Sequence, residues 1–508
     1  MNILKKMQNK KFFILRMVIL AAGLSFLILP HFTKENETIY VLAPWIYLTC
    51  FLFYSRSMEK RWEWIIFSAV LLFGLEVRYR DFLGDSEIVL EIASVILLVV
   101  LTAGFIIPFV CDRICISRGG PFVFLMFPLM RVLIEHVIYG QQFNLSLTQF
   151  GNKWLIQSEA LFGDNFVSFM VAFIPTVVTY MLVQRRKSVM IAGGISLSLC
   201  ALVFVYGMVR YDNSRSFHKT VKMAYATGPQ KTYYEDPAEE DPDYEENVSY
   251  LRRTVKEAAE GGAHLIAYAE EAFMAEGADE QDGLIDEARK CAAENHIAIL
   301  LSIDFSDEDT LWENKAVLID RDGAYLSDYT KTNLIPVVED GDYQAGDGVI
   351  PCNHVELDGK EIPISYTICY DATFSDFLLT MDRETKLYIN PSWDWAEIVD
   401  LNYRMQGISA IQGGVVLFKP TVDGWSTVMD PYGRLHYKFS TLGQDYDKVY
   451  FVDVPYGKAR SLYKRLHEYI GVVWSGMILS ALVYLGYVSA TRIAGWVKNR
   501  RKKNKQQQ

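Results

Sequence analysis

Long apolar runs divide the chain into three parts. Up to about residue 209 the sequence is a series of such runs, residues 218–456 mix apolar and polar positions, and one more apolar run follows. Runs of about 18 or more apolar residues with few charges are typical of membrane-spanning helices. The pattern predicts seven spans before the mixed region and one after it, at about 12–30, 39–55, 62–78, 88–111, 121–139, 165–184, 188–209 and 469–490.

The mixed region has the pattern of a globular α/β domain. Apolar strand-like segments such as "HLIAYAEEAF" and "IAILLSIDFS" alternate with predicted helices at about 244–260 and 283–294, and another helix is predicted at about 400–411. Strands alternate with helices in the first half, whereas pairs of strands dominate later. This mixture predicts a layered α/β sandwich rather than a purely doubly wound sheet.

Lysine and arginine residues are unevenly distributed among the segments that join the predicted spans. One side holds four N-terminal lysines, "RSMEKRW", Arg113, Arg118, "RRK" at 185–187 and the tail "KNRRKKNK", whereas the other holds only Lys34, Arg78, Arg80 and Lys153. Short cytoplasmic segments are rich in such residues. We therefore expect a multi-pass protein of the cell membrane with both termini in the cytoplasm and the globular domain on the extracytoplasmic face.

These patterns give a predicted domain plan. Residues 1–210 form a membrane domain, 218–456 an external domain, 469–490 a C-terminal span and 491–508 a basic cytoplasmic tail. The net charge of −11 combines basic cytoplasmic segments with an acidic external domain. No basic surface with interleaved aromatic residues is present, so nucleic acid is not expected as a partner.

Three of the seven cysteines lie in the external domain: Cys291, Cys352 and Cys369. An odd number leaves at least one thiol unpaired where disulfides can form. A Cys291–Cys352 disulfide is possible, and Cys369 is then the free thiol. No pair of His or Cys residues has the spacing of metal ligands, so neither a metal nor a cofactor is expected.

Glu270, Lys331 and Cys369 each lie at or just after the end of an apolar strand-like run, in "HLIAYAE", "YLSDYTKTNLIP" and "PISYTIC". Functional groups are often placed at such strand ends in α/β proteins. A thiol is a strong nucleophile only as the thiolate. A carboxylate can take the thiol proton, and an ammonium group can stabilise the negative charge that develops, so Cys369, Glu270 and Lys331 together have the groups that nucleophilic catalysis needs. Taken singly, Glu270 and Lys331 are better explained as members of surface ion pairs, and only the three residues together favour a catalytic site.

Two other interpretations are open at this point. His354 or His436 would complete a Cys–His dyad with Cys369, although both lie in alternating patterns that are typical of ordinary surface histidines. A transport function would use charged residues within the predicted spans, namely Glu76, Glu91, Arg131, Glu135 and His136.

The motifs "HLIAYAEEAF", "YTKTNLIPVVE" and "ISYTICYDATF", in this order, resemble those of the nitrilase (carbon–nitrogen hydrolase) superfamily. The approach to the cysteine, "YQAGDGVIPCNHVELDGKEIPISYTICYD", is also similar. Seven spans before such a domain and one after it resemble the apolipoprotein N-acyltransferase family, as does "NYRMQGISAIQGGVVLFKPTVDGWSTVMDPYGRL". The resemblance covers nearly the whole chain and implies an α-β-β-α sandwich with a Glu-Lys-Cys triad.

The resemblance implies a role for each motif residue. Glu270 would be the general base, Lys331 would stabilise the oxyanion and Cys369 would be the nucleophile. Supporting roles would belong to Glu339, which would help to place the lysine, and to Tyr370 and Asp371, where a backbone N–H would contribute to the oxyanion hole.

The chain also departs from the family pattern. Ala269 stands where the family usually has proline, and Glu271 adds a second carboxylate beside Glu270. Asp371 replaces the glutamate that is typical of the acyltransferases and matches soluble nitrilase-type amidases.

The implied function is an N-acyltransferase acting as a monomer at the membrane lipid surface. A phospholipid would donate a fatty acyl chain to Cys369, and the thioester would pass it to the N-terminal amine of a diacylglyceryl-cysteine lipoprotein. Asp371 favours an alternative, a membrane-anchored amidase that hydrolyses a carbon–nitrogen bond. A third possibility is a non-catalytic receptor or scaffold with the same fold.

Overall fold

The computed structural model separates the chain into two compact units. One comprises Met1–Val209 with Leu466–Gln508, and the other comprises Arg210–Arg465. The structure describes residues 10–33, 36–80, 88–116, 120–139, 143–212, 217–229, 243–307, 310–336, 338–395, 398–444 and 448–506. Each unit is taken by itself below.

The first unit is helical. Its described α-helices are α1 (Lys10–Phe32), α2 (Glu37–Ser57), α3 (Glu63–Arg78), α4 (Ile88–Ile116), α5 (Met126–Ile134), the single turn α6 (Glu159–Phe162), α7 (Asp164–Gln184), α8 (Lys187–Asp212) and the C-terminal helix Tyr463–Gln506, whose first three residues are assigned to the second unit. The predicted span 469–490 and most of the tail 491–508 therefore belong to one continuous helix. Residues 1–9 and 507–508 lie outside the described residues.

By length and composition alone, six described helices are apolar enough to cross a membrane. They are Phe12–Phe32, Glu37–Ser57, Ser94–Ile116, Asp164–Gln184, Lys187–Asp212 and Tyr463–Lys498. This agrees with a membrane protein, while the number of crossings and their direction stay predictions.

Two of the eight predicted spans are not among these six helices. The segment at 62–78 forms α3, which has 16 residues. The segment at 121–139 is not one helix: a 3-10 turn, Pro121–Val123, precedes α5, which has nine residues, and a π-helical turn, Glu135–Tyr139, follows it. The π-helical turn continues directly from α5, since the Glu135 backbone is helical with φ of −60° and ψ of −42°. The uninterrupted helical segment therefore begins only at Met126 and is shorter than the predicted span, and the Glu135 carboxylate accepts hydrogen bonds from Arg131 Nε at 2.8 Å and from the Leu145 N–H at 3.1 Å.

Three of the charged residues behind the transport interpretation have ion-pair partners. Arg131 binds Glu135, and Glu76 accepts a hydrogen bond from the exposed Arg80 at 2.8 Å. The side chain of Glu91 lies outside the described residues.

The second unit contains two main β-sheets. In chain order its strands are β1 (Thr220–Ala226), β2 (Leu265–Tyr268), β3 (Phe273–Glu276), β4 (Ala298–Ser306), β5 (Glu313–Ile319), β6 (Tyr325–Thr330), β7 (Cys352–Leu357), β8 (Lys360–Tyr366), β9 (Leu387–Ile389), β10 (Ser392–Trp393), β11 (Val416–Lys419), β12 (Thr421–Val422), β13 (Trp425–Met429), β14 (Leu435–Ser440) and β15 (Tyr450–Pro455). The first sheet has the order β15-β1-β2-β4-β5-β6, with β3 beside β4. The second has the order β14-β13-β11-β9-β8-β7, and β10 pairs with β12.

Four layers follow from where these strands bury their apolar side chains. One core, which includes Met223 and Leu300 of the first sheet and Ile364 and Phe418 of the second, lies between the sheets. A second core packs the other face of the first sheet against α9 (Tyr244–Glu260) and α10 (Ala278–Asn295). The short helix α11 (Ser375–Leu378) precedes α12 (Val399–Gly413), which packs against β11 and β13. The domain is an α-β-β-α sandwich, as predicted.

The predicted helices of this domain are confirmed with shifts at their ends. The helix at 244–260 is α9, whose N-terminus is capped by Asp243 through a 2.9 Å hydrogen bond from the Glu246 N–H. Helix α10 begins at Ala278, five residues before the predicted start, because its first turns are polar and carry no apolar signal.

The Cys291–Cys352 disulfide is not formed, since both cysteines are free. Cys291 lies on α10 in the core between the helices and the first sheet, whereas Cys352 begins β7 in the second sheet. Two different layers of the sandwich therefore hold the two thiols.

The core between the sheets predicts which substitutions destabilise the domain. Ile364→Ala removes a fully buried side chain, so we expect the free energy of unfolding to fall by about 2–5 kcal/mol. Val349→Ala is the control, because Val349 is 66% exposed and its truncation should change stability by less than about 0.5 kcal/mol. Thermal unfolding of the full chain in detergent, followed by circular dichroism, measures both. Equal melting temperatures would contradict the assigned core.

Candidate active site

The three predicted catalytic residues follow three strands. Glu270 lies two residues after β2, Lys331 directly follows β6, and Cys369 lies three residues after β8. The first two strands belong to one sheet and the third to the other. The site therefore lies at strand ends of both sheets, as the sequence pattern predicts.

The ammonium group of Lys331 is buried between two carboxylates. Its Nζ lies 2.8 Å from Glu270 Oε1 and 2.5 Å from Glu339 Oε1, and only 1% of the residue is exposed. The other oxygen of Glu339 accepts the Ile335 N–H at 2.7 Å. Glu339 thus contacts Lys331 directly, as its predicted supporting role requires, and the role itself stays a prediction.

Glu270 is held by hydrogen bonds to both of its oxygens. Besides Lys331, Oε1 accepts a 3.0 Å bond from Asn314 Nδ2, and Oε2 accepts the Trp393 N–H at 2.7 Å. The carbonyl of Trp393 lies 3.5 Å from Cys369 Sγ and accepts the thiol hydrogen. The backbone of one residue, Trp393, therefore links the candidate base to the candidate nucleophile.

The backbone at Cys369 is in the left-handed region, with φ of 40°. A side chain other than glycine adopts this conformation only where its surroundings impose it, and such strain is common at functional sites. Cys369 begins a 3-10 turn, Cys369–Thr373, and its N–H donates to the Pro391 carbonyl at 2.7 Å. The turn places a thiol that is 3% exposed beside the Trp393 carbonyl.

The charges around Cys369 favour the protonated thiol at rest. Burial and then the Glu270 carboxylate raise the pKa of Cys369 well above its ordinary value, and Lys331 opposes this only in part. Burial alone lowers the pKa of Lys331, but Glu270, Cys369 and Glu339 outweigh it and raise the pKa well above its ordinary value. The resting site therefore holds a thiol and an ammonium, and the thiol proton must be removed during the reaction.

Asp371 joins the cysteine turn to the lysine loop. Its carboxylate accepts the Asn333 N–H at 2.7 Å, Asn333 Nδ2 at 2.8 Å and the Tyr329 hydroxyl at 2.7 Å. Its own N–H donates to the Ile368 carbonyl at 3.0 Å and is therefore already used. A contribution of the Tyr370 N–H to an oxyanion hole stays a prediction, and the ring of Tyr370 packs edge-on against Phe374.

A second buried ion pair adjoins the site and was missed by the sequence reasoning. Lys419 Nζ lies 2.5 Å from Asp394 Oδ2, both side chains are fully buried, and Asn402 Nδ2 donates to Asp394 Oδ1 at 2.6 Å. Asp394 directly follows Trp393 in the chain. Lys419 ends the apolar run "GGVVLFK", so the same strand-end pattern that revealed Lys331 applies to it.

The two histidines considered as partners of Cys369 contact other residues. His354 pairs with Glu361 at 2.7 Å and with Glu384 at 3.3 Å, and His436 lies 3.2 Å from Asp430. Within the described part of the chain, Cys369 therefore has Glu270 and Lys331 beside it rather than a histidine.

The carboxylates of the site could in principle hold a cation. Oxygens of Glu270, Glu271 and Glu339 lie within 4.8 Å of one another. The Lys331 ammonium already contacts two of these three groups and supplies the positive charge that a metal would bring. The absence of a metal stays a prediction from the sequence.

A cavity of about 430 Å³ opens beside the charged groups. Carboxylate, ammonium, aromatic and aliphatic groups line it: Glu270, Glu271, Lys331, Ile335, Val338, Glu339, Tyr343, Trp393 and Trp395. Two members of the predicted triad thus form part of its wall, and Cys369 adjoins it through Trp393. The arrangement suits a nucleophilic thiol that attacks a carbonyl group bound in this cavity.

Comparison with solved structures finds amidases of low sequence identity. An amidase from Nesterenkonia sp. is 18% identical, with a TM-score of 0.41 over 50% of this chain and 96% of the amidase. A cysteine-to-alanine mutant of the amidase from Nesterenkonia sp. AN1, in complex with butyramide, is 19% identical, with a TM-score of 0.41 over 49% of this chain and 95% of the other. The comparison with curated proteins gave no match.

Comparison with protein families identifies the part of the chain that contains the site. Residues 224–415 match the family described as Carbon-nitrogen hydrolase, and this range contains Glu270, Lys331, Glu339 and Cys369. Residues 224–415 therefore form a carbon–nitrogen hydrolase domain of the nitrilase superfamily.

Proposed function

We propose that the protein is a membrane N-acyltransferase that works through a thioester on Cys369. The observation that carries the proposal is the contact network of the site, in which Glu270 binds both Lys331 and the Trp393 N–H, and the Trp393 carbonyl accepts from Cys369. Apolar helices of membrane-spanning length precede and follow the domain in the sequence, which favours a lipid substrate.

In the first half-reaction the thiol attacks the ester carbonyl of a membrane phospholipid. Glu270 takes the thiol proton as the S–C bond forms, and Lys331 stabilises the negative charge on the carbonyl oxygen. The C–O bond of the ester then breaks, and Glu270 returns the proton to the departing lysophospholipid oxygen. Because the resting thiol is protonated, proton removal and attack are coupled.

In the second half-reaction an amine replaces the thiol. The N-terminal amine of a diacylglyceryl-cysteine lipoprotein attacks the thioester carbonyl, Lys331 again stabilises the oxyanion, and Glu270 accepts a proton from the attacking nitrogen. As the C–S bond breaks, that proton passes to the Cys369 sulfur and the free thiol is regenerated.

We further propose that the domain faces the extracytoplasmic side, that both termini are cytoplasmic and that the protein acts as a monomer.

Asp371 supports the second candidate, a membrane-anchored amidase. In that reaction Cys369 attacks an amide, an amine leaves, and water rather than an amine resolves the thioester. The first half-reaction uses the same groups in the same roles. The two candidates therefore differ in the acyl donor and in the final acceptor.

We expect a fatty acyl group on Cys369 after the purified protein is incubated with a diacyl phospholipid and no acceptor. Peptide mass spectrometry detects the thioester, and Lys331→Met should slow its formation by about 10²–10³-fold because the oxyanion loses its cation. Lys360→Met is the matched control, since Lys360 lies on the surface of the same domain and pairs with Asp358.

An unmodified Cys369 in folded wild-type protein would contradict phospholipid as the acyl donor. If simple amides instead acylate Cys369 and release an amine, the amidase candidate is correct. A protein that forms no acyl-enzyme from either donor, and tolerates Cys369→Ser without phenotype, would be a receptor or scaffold.

Glu270→Gln should separate the electrostatic effect of Glu270 from its catalytic effect. The carboxylate raises the pKa of Cys369, so its loss lowers that pKa and increases the thiolate fraction at neutral pH. Each unit by which the pKa falls raises this fraction about tenfold. We therefore expect faster alkylation of Cys369 by iodoacetamide in the variant, together with slower acylation by phospholipid because the base is absent.

Mass spectrometry of the Cys369 peptide across a pH series measures the alkylation rate. Alkylation of Cys352, which is partly exposed, is the internal control, and Glu361→Gln is the control for loss of an exposed carboxylate. Slower alkylation of Cys369 in Glu270→Gln would show that Glu270 activates the thiol already at rest and would contradict the coupled proton transfer.

A further inference from the structure

The cavity beside the triad has more acidic groups than the proposed reaction uses. Glu270 and Glu339 bind Lys331, but Glu271, which also lines the cavity, does not. The Glu271 backbone is in the left-handed region with φ of 54°, and its N–H donates to Ser302 Oγ at 3.1 Å. This conformation lets two adjacent residues, Glu270 and Glu271, both present side chains to the same cavity.

Asn314 ties Glu271 to the catalytic base. Its Nδ2 donates at 3.0 Å to Oε1 of Glu270 and at 3.0 Å to Oε1 of Glu271. Asn314 is 1% exposed, and its carbonyl oxygen Oδ1 has no hydrogen-bond partner among the described residues. Asn314 lies behind the lining residues and, through its Nδ2, holds the carboxylates of Glu270 and Glu271 next to each other at the cavity.

A further carboxyl group, that of Asp304, stands behind the cavity wall. Its Oδ2 accepts the hydroxyl of Tyr343 at 3.1 Å, whereas Oδ1, on a residue only 4% exposed, has no partner within the described part of the chain. Burial above all raises the pKa of Asp304 to about 7. Burial, Asp304 and Glu270 likewise raise the pKa of Glu271 well above its ordinary value, which favours the protonated carboxyl in the empty cavity. A cation bound beside Glu271 favours the carboxylate and displaces this proton to solvent, and the high pKa makes that carboxylate a stronger base.

The remaining wall of the cavity is aromatic. Trp393, Trp395 and Tyr343 line it together with Glu271. Aromatic faces combined with carboxylates favour organic cations, because the ring quadrupole attracts positive charge and the carboxylate accepts the N–H hydrogens. Lys331, the one cationic residue among the described lining residues, is already bound by Glu270 and Glu339.

We propose that Glu271, backed by Asp304 and Asn314 and walled by Tyr343, Trp393 and Trp395, forms a subsite for a primary ammonium group beside the thioester. This deepens the proposed function and rests on it, because the N-terminus of the acceptor is an ammonium ion at neutral pH and must lose a proton before it attacks.

The proton balance of the acceptor step follows from this subsite. The bound ammonium gives one proton to the Glu271 carboxylate, and the neutral amine then attacks the thioester carbonyl with formation of a C–N bond. Glu270 takes the second proton from nitrogen and passes it to the Cys369 sulfur as the C–S bond breaks. Glu271 later releases its proton to solvent, so a neutral amide and a free thiol remain.

A primary ammonium group can reach the site from two sources. One is the N-terminus of the acceptor, and the other is the head group of an ethanolamine phospholipid that acts as donor. The chemistry is the same in both cases, and the two half-reactions distinguish them.

The acceptor arm of the test is a competition for one thioester. A p-nitrophenyl fatty ester loads Cys369 whether or not phospholipid is the natural donor, and glycinamide, which is cationic at neutral pH, then competes with water. We expect Glu271→Gln to lower the ratio of amide to free acid by about tenfold or more. The ratio cancels any change in how fast the thioester forms and in the fraction of folded protein.

Two controls isolate the charge of the acceptor and of the residue. Methoxyamine, which is uncharged at neutral pH, should give the same ratio in the wild type and in Glu271→Gln. Glu276→Gln removes an exposed carboxylate five residues further along the chain and should leave the glycinamide ratio unchanged. Asp304→Asn is a second variant and should lower the glycinamide ratio in the same direction.

The donor arm compares acylation of Cys369 by phosphatidylethanolamine and phosphatidylglycerol of the same chains. A preference for the ethanolamine lipid that Glu271→Gln abolishes, with an unchanged glycinamide ratio, assigns the subsite to the donor. Unchanged behaviour in both arms would overturn the ammonium subsite. Failure of both phospholipids to acylate Cys369, with a glycinamide ratio that still depends on Glu271, would reject the phospholipid donor and keep the subsite.

A binding measurement needs no turnover at all. Glycinamide should slow the alkylation of Cys369 by iodoacetamide in the wild type, whereas methoxyamine should not, and Glu271→Gln should remove the protection. Equal protection by both amines, or none by either, would contradict ammonium binding at Glu271.

Discussion

The buried ammonium of Lys331 is the interaction on which the site depends. A charge that is almost completely removed from water is stable only with close partners, and Glu270 and Glu339 supply them at 2.8 and 2.5 Å. Removal of one partner of such a pair costs about 3–5 kcal/mol because the other charge stays buried. Lys331 therefore fixes two carboxylates, one after β2 and one in the segment after β6, in a single arrangement. The proposed base, Glu270, is positioned by the same contact that positions the proposed oxyanion stabiliser, Lys331.

A second buried ion pair, Lys419 with Asp394, helps to position the segment that contacts Cys369. Asp394 directly follows Trp393, whose N–H binds Glu270 and whose carbonyl accepts from Cys369. Movement of residues 393–394 would thus disturb both the base and the thiol. The left-handed backbone at Cys369 stores strain that these surroundings must offset. The Lys331–Glu270 pair restrains Trp393 through the hydrogen bond from its N–H to Glu270, and the Lys419–Asp394 pair holds the next residue in the chain. Together they position the Trp393 carbonyl, which accepts from Cys369 in the strained turn.

The sequence predicts the residues of this site better than the contacts between them. Glu270, Lys331 and Cys369 each follow an apolar run, and that pattern is visible because a charged or reactive residue interrupts it. Trp393 acts through its backbone N–H and carbonyl, which every residue other than proline possesses, so its side-chain type gives no signal. Lys419 does follow an apolar run, but nothing in the sequence indicates that Asp394 is its partner. The run at 121–139 predicts a single helix from its first residue, since hydropathy does not distinguish the 3-10 turn Pro121–Val123 from the α-helix that begins at Met126.

The triad alone does not distinguish acyl transfer from hydrolysis. In both proposed reactions Glu270 would move a proton to and from the same sulfur, and Lys331 would stabilise the same oxygen on the same carbonyl carbon. Since these roles are identical whether water or an amine attacks, the choice of acceptor must be made by groups that bind the acceptor before it reacts. Such groups have to lie in the wall of the cavity next to the thioester without contacting Lys331. Among the described lining residues, Glu271 combines a carboxylate with that position, and Trp393 and Trp395 line the same cavity. On the proposed mechanism, the cavity wall rather than the catalytic residues would therefore decide between acyl transfer and hydrolysis.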